Sequence, residues 1–541
     1  MYNYSKSYNQ KQTGTWIIAA LICAAAGAGL LFISMAQGVG VGGDATIYIT
    51  SARNLLAGKG LGLINAAGDF RLIPYFPPFY SLVLAFFGLF TSNLPFVALI
   101  LNLVLHAGLV FLITYWTIRI SDNLFPGLLL GLLLAGSPII IPAYSWAMSE
   151  PLAILLGFSG LILLEKGLIE NSRFGVWASA VLLGLSVLTR YSSAAFIGAA
   201  VLLILCFEGE TFKQRLISAF TYGLAASVPM IIWLIIDYAK TSTVASRSML
   251  SGRTAELWAA FLTKIKHVFT LWIMPESLTG NMPGILGTVI SLFIILFALG
   301  CFAGAVYALK NGTNYPRYAR MFFLLAALEL CYLLLIVFVS LRTYPPITIN
   351  TRMLLPVYIA NFWLIYLLFA LFGEYNHRLS RTFIFNTALF LFTALSCYRG
   401  VRIANQNAVD GLGYNSTTWK NSETVAYIRE NIPEEGSIVT NEETALLFLL
   451  DRRTWPMHEV YVNEPDTEYY AYESDYGVEN DGSRQVFRKG GAWLVIFDSF
   501  EDQMADIYGE NTRKRMESLF ANLNVLFDGN DGTIYTLEKV N

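Results

Sequence analysis

Two acidic side chains stand at the ends of long apolar runs. Asp44 follows the glycines of VGVGGDATIY, just beyond an apolar run that ends near Ala36. A carboxylate held there can act as a general base that takes a proton from an attacking hydroxyl. Glu150 stands beside Pro151 in SWAMSEPL, at the start of another apolar run. Helix capping is the alternative for both acids, and at Asp44 it is compatible with a role as base.

Three arginines carry charge that an anionic ligand would need. Arg190 ends an apolar run in LTRY, and Arg342 and Arg352 enclose the loop RTYPPITINTR. A guanidinium matches phosphate oxygens bidentately, so an anion held by such groups gains charge-assisted hydrogen bonds. These residues indicate a phosphate site, although Arg190 taken alone could instead extend to a lipid headgroup.

Further polar residues between the apolar runs are candidates for contacts with an acceptor or with lipid. The segment 239–283 is rich in groups that are cationic or can become so: Lys240, Arg247, Arg253, Lys264, Lys266 and His267. The segment YFPPFY, residues 75–80, combines paired prolines with aromatic rings that favour the headgroup level of a membrane. The candidates for acceptor or lipid binding are Asp69, Tyr75, Tyr344, Arg253 and Lys266.

The elements that must position these side chains are membrane-spanning helices. Of the 541 residues, 55% are hydrophobic and only 14% are charged, whereas a soluble domain carries about 25% charged residues. A span needs about 20 apolar residues. Eleven runs reach this length or nearly reach it: 16–36, 96–119, 124–143, 150–166, 174–189, 193–207, 216–238, 284–308, 321–341, 353–373 and 381–398. The run from Pro78 to Phe90 is too short to cross, and we expect a half-inserted or interfacial helix there.

Lysine and arginine in the short loops predict the orientation, because cytoplasmic loops are enriched in them. With a cytoplasmic amino terminus, eleven spans place basic residues in nearly every short cytoplasmic connection. The loops 37–95, 144–149, 239–283 and 342–352 are then extracytoplasmic, as is the carboxyl-terminal region. Asp44, Glu150 and the three arginines consequently share the outer face.

The chain divides by composition near residue 400. Only 13 of the 38 acidic residues precede that point. We predict a cytoplasmic tail (1–15), a transmembrane catalytic domain (16–400) and a soluble extracytoplasmic α/β domain (401–541). In the loop 37–95, polar and apolar residues after Asp44 alternate at helical spacing, which predicts an amphipathic helix in the membrane interface. Alternating helix and strand patterns predict the α/β domain, with the acidic, tyrosine-rich stretch 463–482 as a loop.

Several classes of function are disfavoured. The net charge of −2 gives no reason to expect nucleic-acid binding. The phosphate-cradling GxxxxGK[ST] loop and the HExxH, CxxC and GxSxG motifs are missing from the sequence, and the membrane region carries no DxD. All five cysteines lie in apolar runs, as small hydrophobic residues do. We therefore expect no cofactor, while leaving room for a divalent metal.

The order of these features resembles the GT-C glycosyltransferases, within them the bacterial branch related to protein O-mannosyltransferases and lipid A aminoarabinose transferases. An acid follows the first span, a helix ends in AGKGL, a paired-proline segment returns to the membrane, and SEP, TRY and a late arginine come in sequence. The resemblance covers about residues 16–400 and lies in order and spacing more than in any one motif.

The resemblance implies that a sugar is transferred, with inversion, from a polyprenyl-phosphate donor to a lipid, glycan or protein acceptor. It assigns the catalytic carboxylate to Asp44. Many members carry Asp-Glu there, whereas Ala45 follows here, so a second acid is Glu150 or Asp69, or is not required. Arg190, Arg342 or Arg352 would neutralise the departing phosphate. Membrane lipids are the surrounding partners, and a prokaryotic plasma (inner) membrane is the expected location.

A transporter or flippase of a lipid-linked saccharide is the alternative, since it also needs many spans and arginines near phosphate. Transporters often contain repeated halves and polar residues at the membrane midplane. The sequence shows no internal repeat, and its polar residues gather at one face. The pattern therefore favours an enzyme.

Overall fold

The fold consists of long apolar helices followed by a mixed helical and stranded region. The computed structural model describes residues 10–241, 248–249, 254–279, 284–313, 315–344, 349–375, 379–457, 486–487, 491–508, 512–520 and 523–537. The stretch 463–482 and Arg253 lie outside these residues.

The helices of the apolar part are α1 (Gln10–Ser34), α2 (Gly43–Leu56), α3 (Phe79–Gly88), α4 (Leu94–Ser121), α5 (Leu124–Ala135), α6 (Ile140–Tyr144), α7 (Glu150–Ile169), α8 (Arg173–Thr189), α9 (Ala194–Phe207), α10 (Phe212–Thr241), α11 (Thr254–Ile273), α12 (Glu276–Thr279), α13 (Gly284–Asn311), α14 (Pro316–Arg342), α15 (Leu355–Tyr375) and α16 (Leu379–Asp410). Two short antiparallel pairs join β1 (Leu63–Ile64) to β2 (Phe70–Arg71) and β3 (Ser248–Met249) to β4 (Thr343–Tyr344).

Each of the eleven predicted spans corresponds to helical structure. Within the described residues, eight helices are long and apolar enough to cross a membrane: α1, α4, α7, α10, α13, α14, α15 and α16. The predicted spans at α5, α8 and α9 are shorter helices of 12, 17 and 14 residues. The predicted run 124–143 divides into α5 and α6 because Pro138 cannot donate a backbone hydrogen bond. The Ser137 hydroxyl accepts from the N–H groups of Ile139 and Ile140, which begin the next turn.

The helix α3 has 10 residues, too few to cross a membrane, as predicted for this segment. The chain forms two compact units. The first contains residues 1–36, 75–80 and 98–408, and the second contains residues 37–74, 81–97 and 409–541. The loop after α1 is thus grouped with the carboxyl-terminal residues.

In the first unit, α7, α14 and α15 are the inner helices. In the apolar stretch of each of these three helices, between 61% and 67% of the residues are buried. The corresponding share is 22% to 28% for α10, α13 and α16. The α14 helix packs against α9, α13 and α15. Side chains at the ends of α7, α14 and α15 are therefore held by a closely packed framework.

The carboxyl-terminal part of the second unit is an α/β domain, which confirms the predicted class. Its elements are α17 (Thr417–Lys420), α18 (Glu423–Asn431), β5 (Ile438–Thr440), α19 (Glu443–Leu450), β6 (Trp455–Pro456), β7 (Trp493–Phe497), α20 (Ser499–Tyr508), α21 (Thr512–Phe520), β8 (Leu523–Asp528) and β9 (Gly532–Leu537). The sheet order is β6-β5-β7-β9-β8, with β5, β6 and β7 parallel and β9 antiparallel to both neighbours. Hydrophobic clusters cover the sheet, one around Ile428 and Val495 and another around Leu494 and Phe500.

One helix boundary differs from the sequence prediction. The pattern at 512–524 predicts a single helix, but α21 ends at Phe520 and β8 begins at Leu523. Asn524 pairs with Thr536 of β9 in the antiparallel ladder. The partner strand, which follows eight residues later, thus overrides the local helical preference.

Candidate active site

Glu150 is a buried carboxylate that two arginines approach. It is the first residue of α7, and its side chain is only 3% exposed. Its Oε1 atom lies 2.8 Å from Nε of Arg352 and 3.1 Å from a terminal nitrogen of Arg190. These contacts are close ion pairs, but neither carboxylate oxygen has an aligned hydrogen bond from a described residue. The structure therefore brings together three of the residues that the sequence predicts for the site.

The end of α8 sets the position of Arg190. Arg190 leaves the helix in an extended conformation, with φ −155° and ψ 123°, and a short 3-10 turn of residues 191–193 follows. Its carbonyl accepts a 2.9 Å hydrogen bond from the N–H of Ser193. One turn earlier, the hydroxyl of Ser186 donates to the Ala153 carbonyl of α7 at 2.7 Å. The change of backbone direction at Arg190 therefore lies next to the helix that begins with Glu150.

Tyr332 of α14 connects the two arginine-bearing segments. Its buried hydroxyl donates to the Met353 carbonyl at 2.7 Å and lies 3.1 Å from the Ser192 hydroxyl. It is also hydrogen-bonded to the Arg190 side chain. Sequence reasoning missed Tyr332, which lies inside the apolar run LELCYLLL. A tyrosine hydroxyl in such a run needs a polar partner, and that requirement is the signal that could have found it.

The cluster of Glu150, Arg190 and Arg352 contains one carboxylate and two guanidinium groups, so its formal charge is +1. Both arginine side chains are about a quarter exposed, at 24% and 27%, so they are neither fully buried nor fully solvated. A carboxylate that holds two guanidinium groups can preorganise them to receive an anion. The described residues contain no group of three His, Cys, Asp or Glu side chains arranged to hold a metal.

Asp44 is half-buried near the start of α2 in the second unit. It is the second residue of that helix, and Gly42 occupies the N-cap position without a side-chain hydrogen bond. Asp44 is thus not the N-cap residue of α2, although an acid in the first turn stabilises a helix electrostatically. The polar stripe expected on this helix is partly buried, since Thr46, Thr50 and Asn54 are covered.

Neighbouring residues of the second unit account for that burial. The Asn54 side chain donates to the Gly62 carbonyl at 2.8 Å, and the Ser81 hydroxyl donates to the Tyr48 carbonyl at 3.2 Å. The expected amphipathic helix is therefore present, but protein covers much of its polar side. Amphipathic spacing alone does not distinguish a protein partner from solvent or lipid headgroups.

The remaining arginine candidate is separate from the cluster. Arg342 is the last residue of α14, is exposed, and does not pair with Glu150. Tyr344 lies in β4, where its backbone pairs with Ser248. This pairing joins the segments around residues 248 and 344, which both belong to predicted outer loops.

Three other candidates lie in distinct places. Asp69 is exposed in the turn between β1 and β2, where its N–H donates to the Asn65 side chain at 2.8 Å. Tyr75 is half-buried in the segment 75–80 of the first unit. Lys266 is half-buried on α11, and a Cβ atom added at Gly287 of α13 would lie 3.7 Å from its Cβ.

No protein-family model and no curated protein sequence matches the chain. Among solved structures, ArnT from Cupriavidus metallidurans bound to undecaprenyl phosphate is 14% identical, with 96% of this chain and 98% of that chain covered and a TM-score of 0.49. Archaeal oligosaccharyltransferase AglB from Archaeoglobus fulgidus, in complex with an inhibitory peptide and a dolichol-phosphate, is 12% identical, with 91% and 71% covered and a TM-score of 0.52.

A second structure of the Archaeoglobus fulgidus oligosaccharyltransferase, tethered to an acceptor peptide, is 13% identical. The match covers 96% of this chain and 74% of that one, with a TM-score of 0.51. The likeness to these oligosaccharyltransferase structures bears on the fold and extends over most of the chain. The chain therefore shares the fold of these oligosaccharyltransferase structures over most of its length.

Proposed function

We propose that the protein transfers a sugar from a polyprenyl-phosphate-linked donor to a hydroxyl of a lipid, glycan or protein acceptor at the outer face of the membrane. The arrangement of Arg190 and Arg352 around Glu150 is the observation that carries the proposal. Two fixed guanidinium groups suit a phosphate that gains charge as its bond to the sugar breaks. The dolichol-phosphate in the AglB structure agrees with a polyprenyl donor.

Asp44 is the general base in this proposal. Its carboxylate takes the proton of the acceptor hydroxyl while that oxygen attacks the anomeric carbon from the face opposite the phosphate. The new glycosidic bond forms as the bond from the anomeric carbon to the phosphate oxygen breaks, and the electron pair leaves with the phosphate. The configuration at the anomeric carbon is therefore inverted, and polyprenyl phosphate is the second product.

Glu150 is a positioning residue in the same scheme. Its Oε1 already lies 3.1 Å from a nitrogen of Arg190 and 2.8 Å from one of Arg352, so two guanidinium groups occupy the oxygen that an acceptor hydroxyl would need. Such an acid is poorly placed to exchange protons with an acceptor. We assign it to holding Arg190 and Arg352, and we propose that the reaction needs no metal because the arginines supply the positive charge.

The test uses the purified full-length chain in liposomes with radiolabelled polyprenyl-phosphate hexoses and pentoses, and with an extract of bacterial envelope as acceptor. We expect label in an acceptor product and release of polyprenyl phosphate, both unaffected by EDTA. The double variant Arg190→Gln/Arg352→Gln should abolish transfer. Arg429→Gln, which replaces an exposed arginine, is the matched control and should transfer at the wild-type rate. Movement of intact donor across the bilayer without transfer would overturn the proposal in favour of a flippase.

A further inference from the structure

The segment that leads into α2 is paired with the start of the α/β domain. Val41 forms a parallel bridge with Gly413, and its carbonyl accepts a 2.7 Å hydrogen bond from the N–H of Tyr414. The Asn415 side chain donates to the Val39 carbonyl, also at 2.7 Å. Asp44 follows Val41 by three residues. The backbone just before the proposed base is therefore fixed by residues more than 370 positions later in the chain.

The same pairing continues towards the end of α1. The ammonium group of Lys420 donates to the backbone carbonyl of Gln37 at 2.8 Å and to its side chain at 3.0 Å. Gly38 adopts a φ of +113°, and a Cβ atom there would lie 3.1 Å from the Asn415 amide nitrogen. A glycine is required at this position because the backbone conformation and the close approach both exclude a larger residue.

The α2 helix also contacts α19 of the α/β domain near both of its ends. Near the amino termini, a Cβ atom added at Gly43 would lie 3.8 Å from the Thr444 hydroxyl. Near the carboxyl termini, Arg53 forms an ion pair with Asp451. The two helices consequently run side by side in the same direction, and Gly43, the residue before Asp44, lies near the start of α19.

Tyr414 links this contact to the edge of the sheet. Its hydroxyl lies 2.7 Å from the Thr444 hydroxyl and is hydrogen-bonded to the Glu442 side chain. Glu442 in turn accepts a 2.6 Å hydrogen bond from the Ser499 hydroxyl, which directly follows β7 and Asp498. The ring of Tyr414 is buried and packs edge-on against Trp419. A chain of polar contacts thus runs from Ser499, after β7, through Glu442 to Tyr414, whose backbone N–H donates to the Val41 carbonyl just before α2.

We propose that the α/β domain belongs to the catalytic machinery because Tyr414 and Thr444 position Asp44 for the transfer step. This inference rests on the proposed function, in which Asp44 is the base. Tyr414 is a positioning residue that touches the supporting backbone and α19. A base must be aligned with its proton to within a fraction of an ångström, and a displacement of about 1 Å can slow a reaction about 100-fold.

The test compares Tyr414→Phe and Thr444→Val with the wild type in the full-length protein. Each variant removes one hydroxyl and keeps most of the packing. We expect kcat to fall about 10-fold, as for the loss of one buried hydrogen bond that aligns a reacting group, while the donor KM changes less than about twofold. Tyr427→Phe is the matched control, because its ring stacks on Phe527 within the same unit and takes no part in these contacts.

A second readout does not depend on activity. Hydrogen exchange of the peptide covering residues 39–57 should be faster in Tyr414→Phe and Thr444→Val than in the wild type and in Tyr427→Phe. Charge reversal gives an independent variant: Arg53→Asp and Asp451→Arg should each speed exchange, and the double variant should restore protection. Because this pair is exposed, single effects should be small, about twofold to fivefold.

The outcomes separate the two proposals. If the wild type transfers no sugar, the proposed function fails, and faster exchange in α2 would still support the positioning contact. If Asp44→Asn is inactive but both hydroxyl variants keep wild-type kcat and wild-type exchange, the positioning role is overturned. If Tyr414→Phe does not fold, Thr444→Val and the charge reversal decide the question by the same criteria.

Discussion

The Nε atom of Arg352 lies 2.8 Å from the buried Oε1 of Glu150, although the two residues are about half of the apolar part of the chain apart in sequence. The same oxygen meets Arg190 at 3.1 Å. The Glu150 carboxylate therefore pairs with arginines from two different loops, the one after α8 and the one before α15. This arrangement explains why an arginine is present at the end of α8, and it gives the proposed donor site its positive charge.

Replacing either arginine should weaken use of the donor. Arg352→Gln and Arg190→Gln each remove a charged hydrogen-bond donor, which corresponds to about 1.5–3 kcal/mol, or roughly 10-fold to 100-fold in kcat/KM for the donor. Lysine at either position keeps the charge without the planar fork and should restore only part of the activity. Steady-state kinetics with varied donor measures this, and an unchanged donor kcat/KM would remove the residue from the phosphate site.

Glu150→Gln distinguishes positioning from acid catalysis. Loss of the carboxylate leaves the partly buried Arg190 and Arg352 without their negatively charged partner, so we expect the free energy of unfolding to drop by about 3 kcal/mol. The donor KM should rise, while the pH profile of kcat keeps its shape, since the proposed base, Asp44, is unchanged. Thermal unfolding in detergent and the pH profile are the two measurements. Loss of one limb of the pH profile would instead identify Glu150 as a proton-transfer group.

Tyr332→Phe tests the residue that sequence reasoning missed. Without the hydroxyl, the Met353 carbonyl and the Arg190 side chain each lose a partner. An unsatisfied buried group costs about 1–3 kcal/mol, so donor kcat/KM should fall about 10-fold with a smaller effect on the acceptor KM. Tyr427→Phe is again the control. Equal losses for donor and acceptor would indicate general destabilisation and contradict a specific role at the arginines.

The pH dependence of stability should depend on Glu442. Burial raises the pKa of its carboxyl above the usual 4.5, although hydrogen bonds from Ser499 and Tyr414 oppose the shift. The folded α/β domain therefore binds a proton more tightly than the unfolded chain does. The contribution of Glu442 to the stability of the domain is therefore fully present below pH 4.5 and is lost as the pH rises through the raised pKa.

Glu442→Gln removes that titration and keeps an oxygen for Ser499. The variant should unfold at a higher temperature than the wild type above the raised pKa, and the difference should shrink towards pH 4. Thermal unfolding of the full-length protein at several pH values measures this. A constant difference across the pH range would show that Glu442 does not titrate in this window.

The sequence predicts the helices well because a membrane requires every backbone polar group to be paired within the segment. It also predicts that Glu150, Arg190 and Arg352 share a face, since loop charge and span order suffice for that. The common contact on one oxygen depends on side-chain geometry at the ends of α7 and α8 and before α15. Hydropathy carries no information about such geometry.

Two other features depend on contacts that are distant in sequence. The Lys420 contact with Gln37 spans 383 residues, so no local pattern indicates that the segment before α2 pairs with the α/β domain. Tyr332 lies in an apolar run, where hydropathy alone predicts only that its ring faces lipid or packs in the protein core. By contrast, the break at Pro138 and the helix after Ser422 follow from local residue chemistry.

The single-turnover rate of sugar transfer by Asp44→Asn, with saturating polyprenyl-phosphate sugar, tests the central claim most directly. Removal of a general base commonly slows a reaction about 10²-fold to 10⁴-fold, and we expect a loss in that range with donor binding retained. The exposed Glu430→Gln, which also neutralises one acid of the second unit, should transfer at the wild-type rate. A rate for Asp44→Asn equal to that of the wild type would contradict the assignment of Asp44 as the base.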